Sequence, residues 1–400
     1  MSSTAIRDRG PSPYFHGREE ILSNFNTFLS ESLNAQGGST FLIQGAPGAG
    51  KTALLEELSV QALEKDWKVA KIGIKDLYTP ASMAQSLGGA YTINKEYAAE
   101  IGVKFITGGH VKNIAGHASV EEILKQLSPE RGLVLVLDEA QYLINLKDTP
   151  TEKHLARDTL DMIHNGKIGR PVILLTAGLG TTLDGFQLLG ISRFATDCIT
   201  HLGRLDQESE RNVIRDWLVE EGKTKEDPTH WIDVIAKQSQ GWPQHIACYV
   251  KIAAKHLKLN NQRLTVDGLE FVLKKGNELR MDYYNKRAHD FDAEQRQSLA
   301  RSIADLPLEG TTTRTAIMAK LMQEYSQRDA DNLFNQALNQ GIIDRRSDGY
   351  YGIPIPSMQT WLIDQYGTGR GRSVFSQSEK SEQGEPEKTI GAKSRYTMER

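Results

Sequence analysis

Short apolar runs punctuate the first half of the chain at 39–44 (STFLIQ), 68–74 (KVAKIGI), 133–137 (LVLVL), 171–176 (PVILLT) and 197–202 (DCITHL). They show little polar alternation. That predicts strands buried on both faces, and therefore a parallel sheet covered by helices. The stretches between them read as helical, beginning with KTALLEELSVQALEKD at Lys51. From about Leu205 the strand pattern stops and helical periodicity takes over. Helices are predicted over 208–221 and 243–256, the second carrying Pro243 in its first turn, where the missing N–H costs nothing. From about Phe291 a third unit opens helically. It closes on two extended runs around the Asp348-Gly349 turn of GIIDRRSDGYYGIPIP. The fold class is α/β with two smaller units after the sheet.

The pattern also sets the boundaries. A polar leader covers 1–13, the α/β core 14–204, the helical unit 205–290, the third unit 291–366, and a tail 367–400. The tail is rich in Gly, Ser, Glu and Lys and cannot bury enough surface to fold alone, so it is read as disordered. Within the core, 91–118 is too long for a loop and too glycine-rich for one clean helix, which predicts a hairpin or an irregular insertion.

Composition narrows the class. With 39% hydrophobic and 25% charged residues, the chain has enough apolar material for sizeable cores and is not a disordered or fibrous protein. Its net charge of −3 excludes an electrostatic sponge for nucleic acid, so any such contact must come from a local basic patch. Two cysteines, Cys198 and Cys248, make neither a disulfide framework nor a structural zinc site. No apolar run nears the roughly 18 residues that cross a bilayer, and the N-terminus lacks the apolar stretch of a secretory signal. The expectation is a cytoplasmic protein with no membrane partner.

The first strand runs into Gly45, Ala46, Pro47, Gly48, Ala49, Gly50, Lys51 and Thr52, a complete GxxxxGK[ST] between a strand and a helix. Glycines in such a loop let successive N–H groups point inward at phosphates, and the helix N-terminus adds positive potential. Lys51 supplies a cation for the β- and γ-phosphates, and Thr52 a hydroxyl for Mg²⁺. The third strand ends in Asp138-Glu139-Ala140-Gln141. A carboxylate there faces the crevice where open α/β sheets bind ligands, so Asp138 is read as holding Mg²⁺ and Glu139 as polarising the attacking water. The same acids are also placed to cap a helix starting at Ala140.

These motifs, in this order, resemble the AAA+ ATPases, in the branch near the origin-recognition and STAND signalling ATPases. Further blocks carry the resemblance. Tyr14-Phe15-His16-Gly17-Arg18-Glu19-Glu20 is similar to an N-terminal block that lies against adenine in relatives, which implies Phe15, His16 and Arg18 as nucleotide contacts. Thr176 falls where the family places sensor 1, with Ala177 and Gly178 next in line. Arg193, in Gly190-Ile191-Ser192-Arg193-Phe194, falls where it places the arginine finger. Gly241-Trp242-Pro243-Gln244-His245 resembles the sensor-2 turn. It has no arginine after Pro243, which is the STAND pattern, where the proline lies close to the nucleotide; the long repeat arrays of STAND proteins are absent. The resemblance implies a parallel-sheet P-loop core, a helical lid over 205–290, a winged helix over 291–366, ATP and Mg²⁺ as cofactors, and a homo-oligomer. ATP rather than GTP follows from the family alone, since no N-K-x-D motif stands in the chain.

Three functional readings stay open. One is a nucleotide-driven switch or assembly regulator acting on protein partners, of transposition, defence or signalling type. Another is a DNA-binding or DNA-loading ATPase. The third is a nucleotide-locked scaffold with little turnover. For double-stranded DNA, the winged helix's recognition helix over 326–340 offers Arg328 against Asp329 and Asp331, leaving Arg345 and Arg346 of the wing as cations. The insertion adds Lys95, Lys104 and Lys112 with Tyr91, Tyr97 and Phe105. His110, His117, His154 and His164 show no metal-ligand spacing, and Trp217, Trp231 and Trp242 are expected to pack the lid.

Overall fold

The computed structural model describes residues 14–35, 39–88, 119–127, 132–148, 150–195, 198–304, 306, 310–346 and 349–367. The leader, the 91–118 insertion with its lysines, and the tail beyond 367 lie outside them. Five strands form the expected sheet: β1 (Ser39–Gly45), β2 (Lys68–Ile72), β3 (Leu133–Leu137), β4 (Val172–Gly178) and β5 (Ile199–Leu202). Their order is β2-β3-β4-β1-β5, and every pairing is parallel. β3 and β4 are buried throughout, which is why their sequences are unbroken apolar runs. Helices α1 (Glu19–Ala35), α2 (Lys51–Glu64), α3 (Pro80–Gly88), α4 (Val120–Leu127), α5 (Pro150–His164) and α6 (Thr182–Leu188) complete the core.

In the core, β2 and the segment after Glu139 depart from the sequence expectation. β2 stops at Ile72 rather than at residue 74, because the Asp76 carboxylate accepts from the Gly73 N–H at 2.8 Å and opens a 3₁₀ turn, Ile74–Leu77. The segment after Glu139 is also 3₁₀, Ala140–Asp148.

The next four helices are α7 (Gln207–Asp216), α8 (Thr229–Ser239), α9 (Pro243–Leu259) and α10 (Val266–Ala288). The helix expected over 208–221 is α7 followed by a π turn, Trp217–Glu221. These helices close around their own apolar cluster, including Ile214, Trp231, Tyr249 and Val272. Last come α11 (Ala293–Ile303), β6 (Thr311–Thr312), α12 (Arg314–Leu321), α13 (Gln327–Asn339), β7 (Asp344–Arg345), β8 (Tyr351–Gly352) and α14 (Pro356–Tyr366). β6, β8 and β7 pair antiparallel in that order.

The apolar residues of this last unit, among them Phe291, Phe334, Ile353 and Trp361, belong to one cluster with those of the sheet. Tyr284 of α10 joins it: its ring lies 5.4 Å from Trp361 and its hydroxyl 2.7 Å from Ser357 Oγ. The C-terminal unit is therefore docked on the core. No described helix is long and apolar enough to cross a membrane.

Candidate nucleotide site

The parallel register brings the carboxyl ends of β1, β3 and β4 to one edge, and the candidate residues meet there. The loop after β1 turns through Gly48 (φ +84°) and Gly50 (φ +93°), backbone that an L side chain resists, and delivers Lys51 as the first residue of α2. Lys51 is buried and donates to the carbonyls of Gly45 (2.8 Å) and Ala46 (3.2 Å). Burial lowers its pKa, and the negative fields of Glu139, Asp138 and Asp344 work against that fall.

Thr52 Oγ1 donates to Asp138 Oδ2 at 2.8 Å, so the two candidate metal residues present adjacent oxygens. A hydroxyl beside a carboxylate suits Mg²⁺, which takes one or two protein oxygens and completes its shell with water and phosphate. Asp138 Oδ1 accepts from the N–H of Glu139 at 2.8 Å. Glu139 has φ +56°, unusual for a non-glycine residue, and this turn carries its side chain to the exposed edge. Gln141 holds it there. Its amide nitrogen donates to Glu139 Oε2, while its amide oxygen accepts from Leu179 N–H just beyond β4 (3.3 Å).

The helical unit grips the outer side of the phosphate loop. Gln244 N–H, in the first turn of α9, donates to Gly48 O at 3.1 Å, and Tyr283 of α10 donates its hydroxyl to Pro47 O at 2.6 Å. Pro243 lies against Gly50, whose added Cβ would sit 3.7 Å from the Pro243 ring. The N-terminal block threads between α7 and the turn after β5. His16 Nε2 is 2.6 Å from Asp216 Oδ2, Arg18 donates to the carbonyls of Gly203 and Arg204, and Phe15 packs on the core. Tyr14 stacks edge-on to Trp217, and burial beside Glu221 pushes its hydroxyl up to about 12.

Comparison with known proteins agrees with this geometry. Residues 14–163 match the AAA ATPase domain family. That stretch, and not the whole chain, is similar to an AAA ATPase domain. Over about nine-tenths of its length the chain shares its fold with two archaeal proteins. One is a Walker-type ATPase of Pyrococcus abyssi, with 16% identity, TM-score 0.58, and 90% of this chain and 99% of that one covered. The other is the ORC2 protein of Aeropyrum pernix, solved as ADPNP–ADP complexes, with 14% identity, TM-score 0.52, and 90% and 96% covered. At such identities the likeness is one of fold. The human cell division control protein 6 homolog is 30% identical over 143 residues, 35% of this chain and 22% of that protein. The chain therefore spans about a fifth of that relative.

Beyond the matched stretch, two residues named from sequence stand apart from the phosphate loop's hydrogen bonds. Thr176 is fully buried and donates to Leu137 O (3.0 Å), its neighbour across β3 and β4. Arg193 is exposed, and its backbone is anchored: His164 Nε2 lies 2.7 Å from Arg193 O, His164 Nδ1 lies 3.0 Å from Thr40 Oγ1, and Phe194 packs on the His164 ring. Two arginines of the C-terminal unit face the core and the helical unit. Arg345 binds Asp184 of α6 at 2.8 Å, and Arg346 lines a cavity of about 270 Å³ with His201, Arg204, Trp242 and Asp344.

Sequence reasoning missed Tyr283, Arg287 and Asp344. Arg287 stacks over the Tyr283 ring at 4.5 Å and donates to Gln340 O (2.6 Å), at the turn where Gly341 packs on Pro47. Asp344 is brought by β7 against Gly180, just past β4. Nothing local in the sequence marks any of them, because their partners lie far away along the chain.

Proposed function

We propose that this protein is a Mg²⁺-dependent ATPase working as a nucleotide-driven switch or assembly regulator. Its parts are a core over 14–204, a lid over 205–290 and a winged-helix unit over 291–366. One observation carries the reading: Lys51, Thr52, Asp138 and Glu139 converge, with Thr52 bonded to Asp138 and Glu139 held by Gln141. The phosphate loop and Lys51 bind the phosphates. Thr52 and Asp138 hold Mg²⁺, which neutralises charge on them, and Glu139 orients the attacking water. Exposed Arg193 on a fixed backbone suits a finger offered to a neighbouring subunit, which supports a homo-oligomer.

The regulator reading is preferred to DNA loading because two cations of the C-terminal unit are engaged within the molecule: Arg345 by Asp184 of the core, and Arg314 of α12 by Asp331 of α13 at 2.9 Å. Titration calorimetry with ATP and Mg²⁺ tests the nucleotide assignment. Wild type is expected to bind and Lys51→Ala to lose most of the affinity. Equal affinity in the two would refute it.

A further inference from the structure

Arg193 stands in a short segment that the core fastens at several points. Gly190, with φ +81°, turns the chain out of α6, and the Ile191 N–H donates back to Phe186 O at 3.0 Å. Ile191 is buried, while Ser192 and Arg193 are exposed. The Phe194 ring then packs against His164, with centroids 5.0 Å apart, and against the fully buried Phe186 at 5.4 Å. The exposed pair is therefore carried between two apolar anchors.

His164, the last residue of α5, adds a polar anchor. Its Nε2 lies 2.7 Å from Arg193 O, and a carbonyl only accepts, so Nε2 carries the proton and donates. In the neutral ring Nδ1 is then an acceptor, and the hydroxyl of buried Thr40 donates to it at 3.0 Å. Thr40 thus fixes both the tautomer and the plane of the ring. It is the second residue of β1, and the phosphate loop follows the last; at about 3.3 Å per residue the two lie about 16 Å apart. The anchor stands at the amino end of the sheet, whereas Lys51, Thr52 and Asp138 gather at the carboxyl end.

We propose that His164 is a positioning residue for Arg193: bonded to Thr40 on one side and to the Arg193 carbonyl on the other, it holds this segment rigid so that the guanidinium is ready for the phosphate site of a second copy of the chain. A loop already fixed has no backbone freedom to lose on association, which is worth roughly tenfold for each residue ordered. His164 therefore acts on the neighbour's chemistry and not on the site of its own subunit. The proposal rests on the finger reading of Arg193 above and names the side chain that makes the finger rigid.

The test is phosphate release by full-chain variants, alone and mixed in equal amounts. His164→Ala alone is expected to lose roughly tenfold in turnover, with ATP affinity by calorimetry within about twofold of wild type. Mixed with Lys51→Ala, whose finger is intact, it should recover activity. Mixed with Arg193→Ala it should not, because neither subunit then offers a positioned finger. His164→Gln, whose amide can donate to Arg193 O and accept from Thr40, is expected to keep most of the wild-type rate. Thr40→Val keeps the shape and removes the hydroxyl; it should show the same mixing pattern with a smaller loss, and it decides the matter if the alanine variant does not fold. Recovery with Arg193→Ala and not with Lys51→Ala would place His164 in its own subunit's site and overturns the proposal. Recovery with neither, or turnover of His164→Ala within twofold of wild type, overturns it as well. If Lys51→Ala and Arg193→Ala fail to restore each other, the finger reading falls and the role of His164 with it, while nucleotide binding, measured separately, is untouched.

Discussion

Replacing Glu139 with glutamine separates chemistry from binding, because the structure shows what the change leaves in place. The Glu139 N–H donates to Asp138 Oδ1 through the backbone, which the substitution does not touch. The new amide has the same reach, and Gln141 can satisfy it by rotating its own amide. Thr52 and Asp138 keep their 2.8 Å bond, and Lys51 keeps its carbonyl partners. What disappears is a group able to accept a proton from water. General-base catalysis contributes about 10²-fold or more, so the barrier should rise by about 3 kcal/mol. Gln141→Leu acts one step removed: it leaves the base but frees its side chain. The loss of one hydrogen bond's worth of orientation should slow turnover roughly tenfold. Phosphate release at saturating ATP measures both rates, and calorimetry should find ATP affinity within about twofold of wild type. Turnover of Glu139→Gln within a factor of two of wild type would refute the assignment, leaving Glu139 a cap on the turn and the water activated elsewhere.

Two further outcomes are expected. If Arg193 completes a neighbour's site, wild-type turnover per subunit rises with protein concentration, and mixing Lys51→Ala with Arg193→Ala subunits restores activity; a monomer with a concentration-independent rate ends that reading. His245 is fully buried on α9, and burial, followed by the charge of Arg280, pushes its pKa down to about 3. A histidine protonated near pH 6.5 when unfolded but not when folded contributes stability that is complete above that pH and is lost as the pH falls towards 3. Denaturant unfolding should therefore show a decline in stability between about pH 6.5 and 5 that His245→Phe flattens; an unchanged slope in the variant would locate the effect in other groups.

Most of the core was legible because its signals are local. The phosphate loop, the acids after β3 and the buried strands each occupy a few consecutive residues, and their chemistry constrains them in place. β2 was read two residues too long because nothing in an apolar run shows that Asp76 will reach back to Gly73. For Thr176, sequence gives the strand and not the partner. Only the pairing of β3 with β4 reveals that its hydroxyl meets Leu137 O. Asp344 was harder still. In sequence it is one acid before two arginines in a presumed wing, and the pattern draws attention to the arginines as possible DNA contacts. The docked structure reverses the emphasis, with Arg345 bound to Asp184 of the core and the acid packed against Gly180.

Two consecutive residues of the phosphate loop are each tied to a different helix. Pro47 O accepts from Tyr283 of α10, and Gly48 O accepts from Gln244 of α9. A loop held this way cannot shift around a phosphate without disturbing helices distant in sequence. That is the physical requirement for coupling between a nucleotide and the units around it. Such coupling is reciprocal. If ATP favours one arrangement of these helices by some factor, a partner protein that captures that arrangement must tighten ATP by the same factor. A search for partners can therefore be read out at the nucleotide: ATP affinity measured with and without a candidate should differ in wild type, and the difference should shrink in Tyr283→Phe, where the tie between α10 and the loop is lost. A partner that leaves ATP affinity unchanged makes no use of this contact.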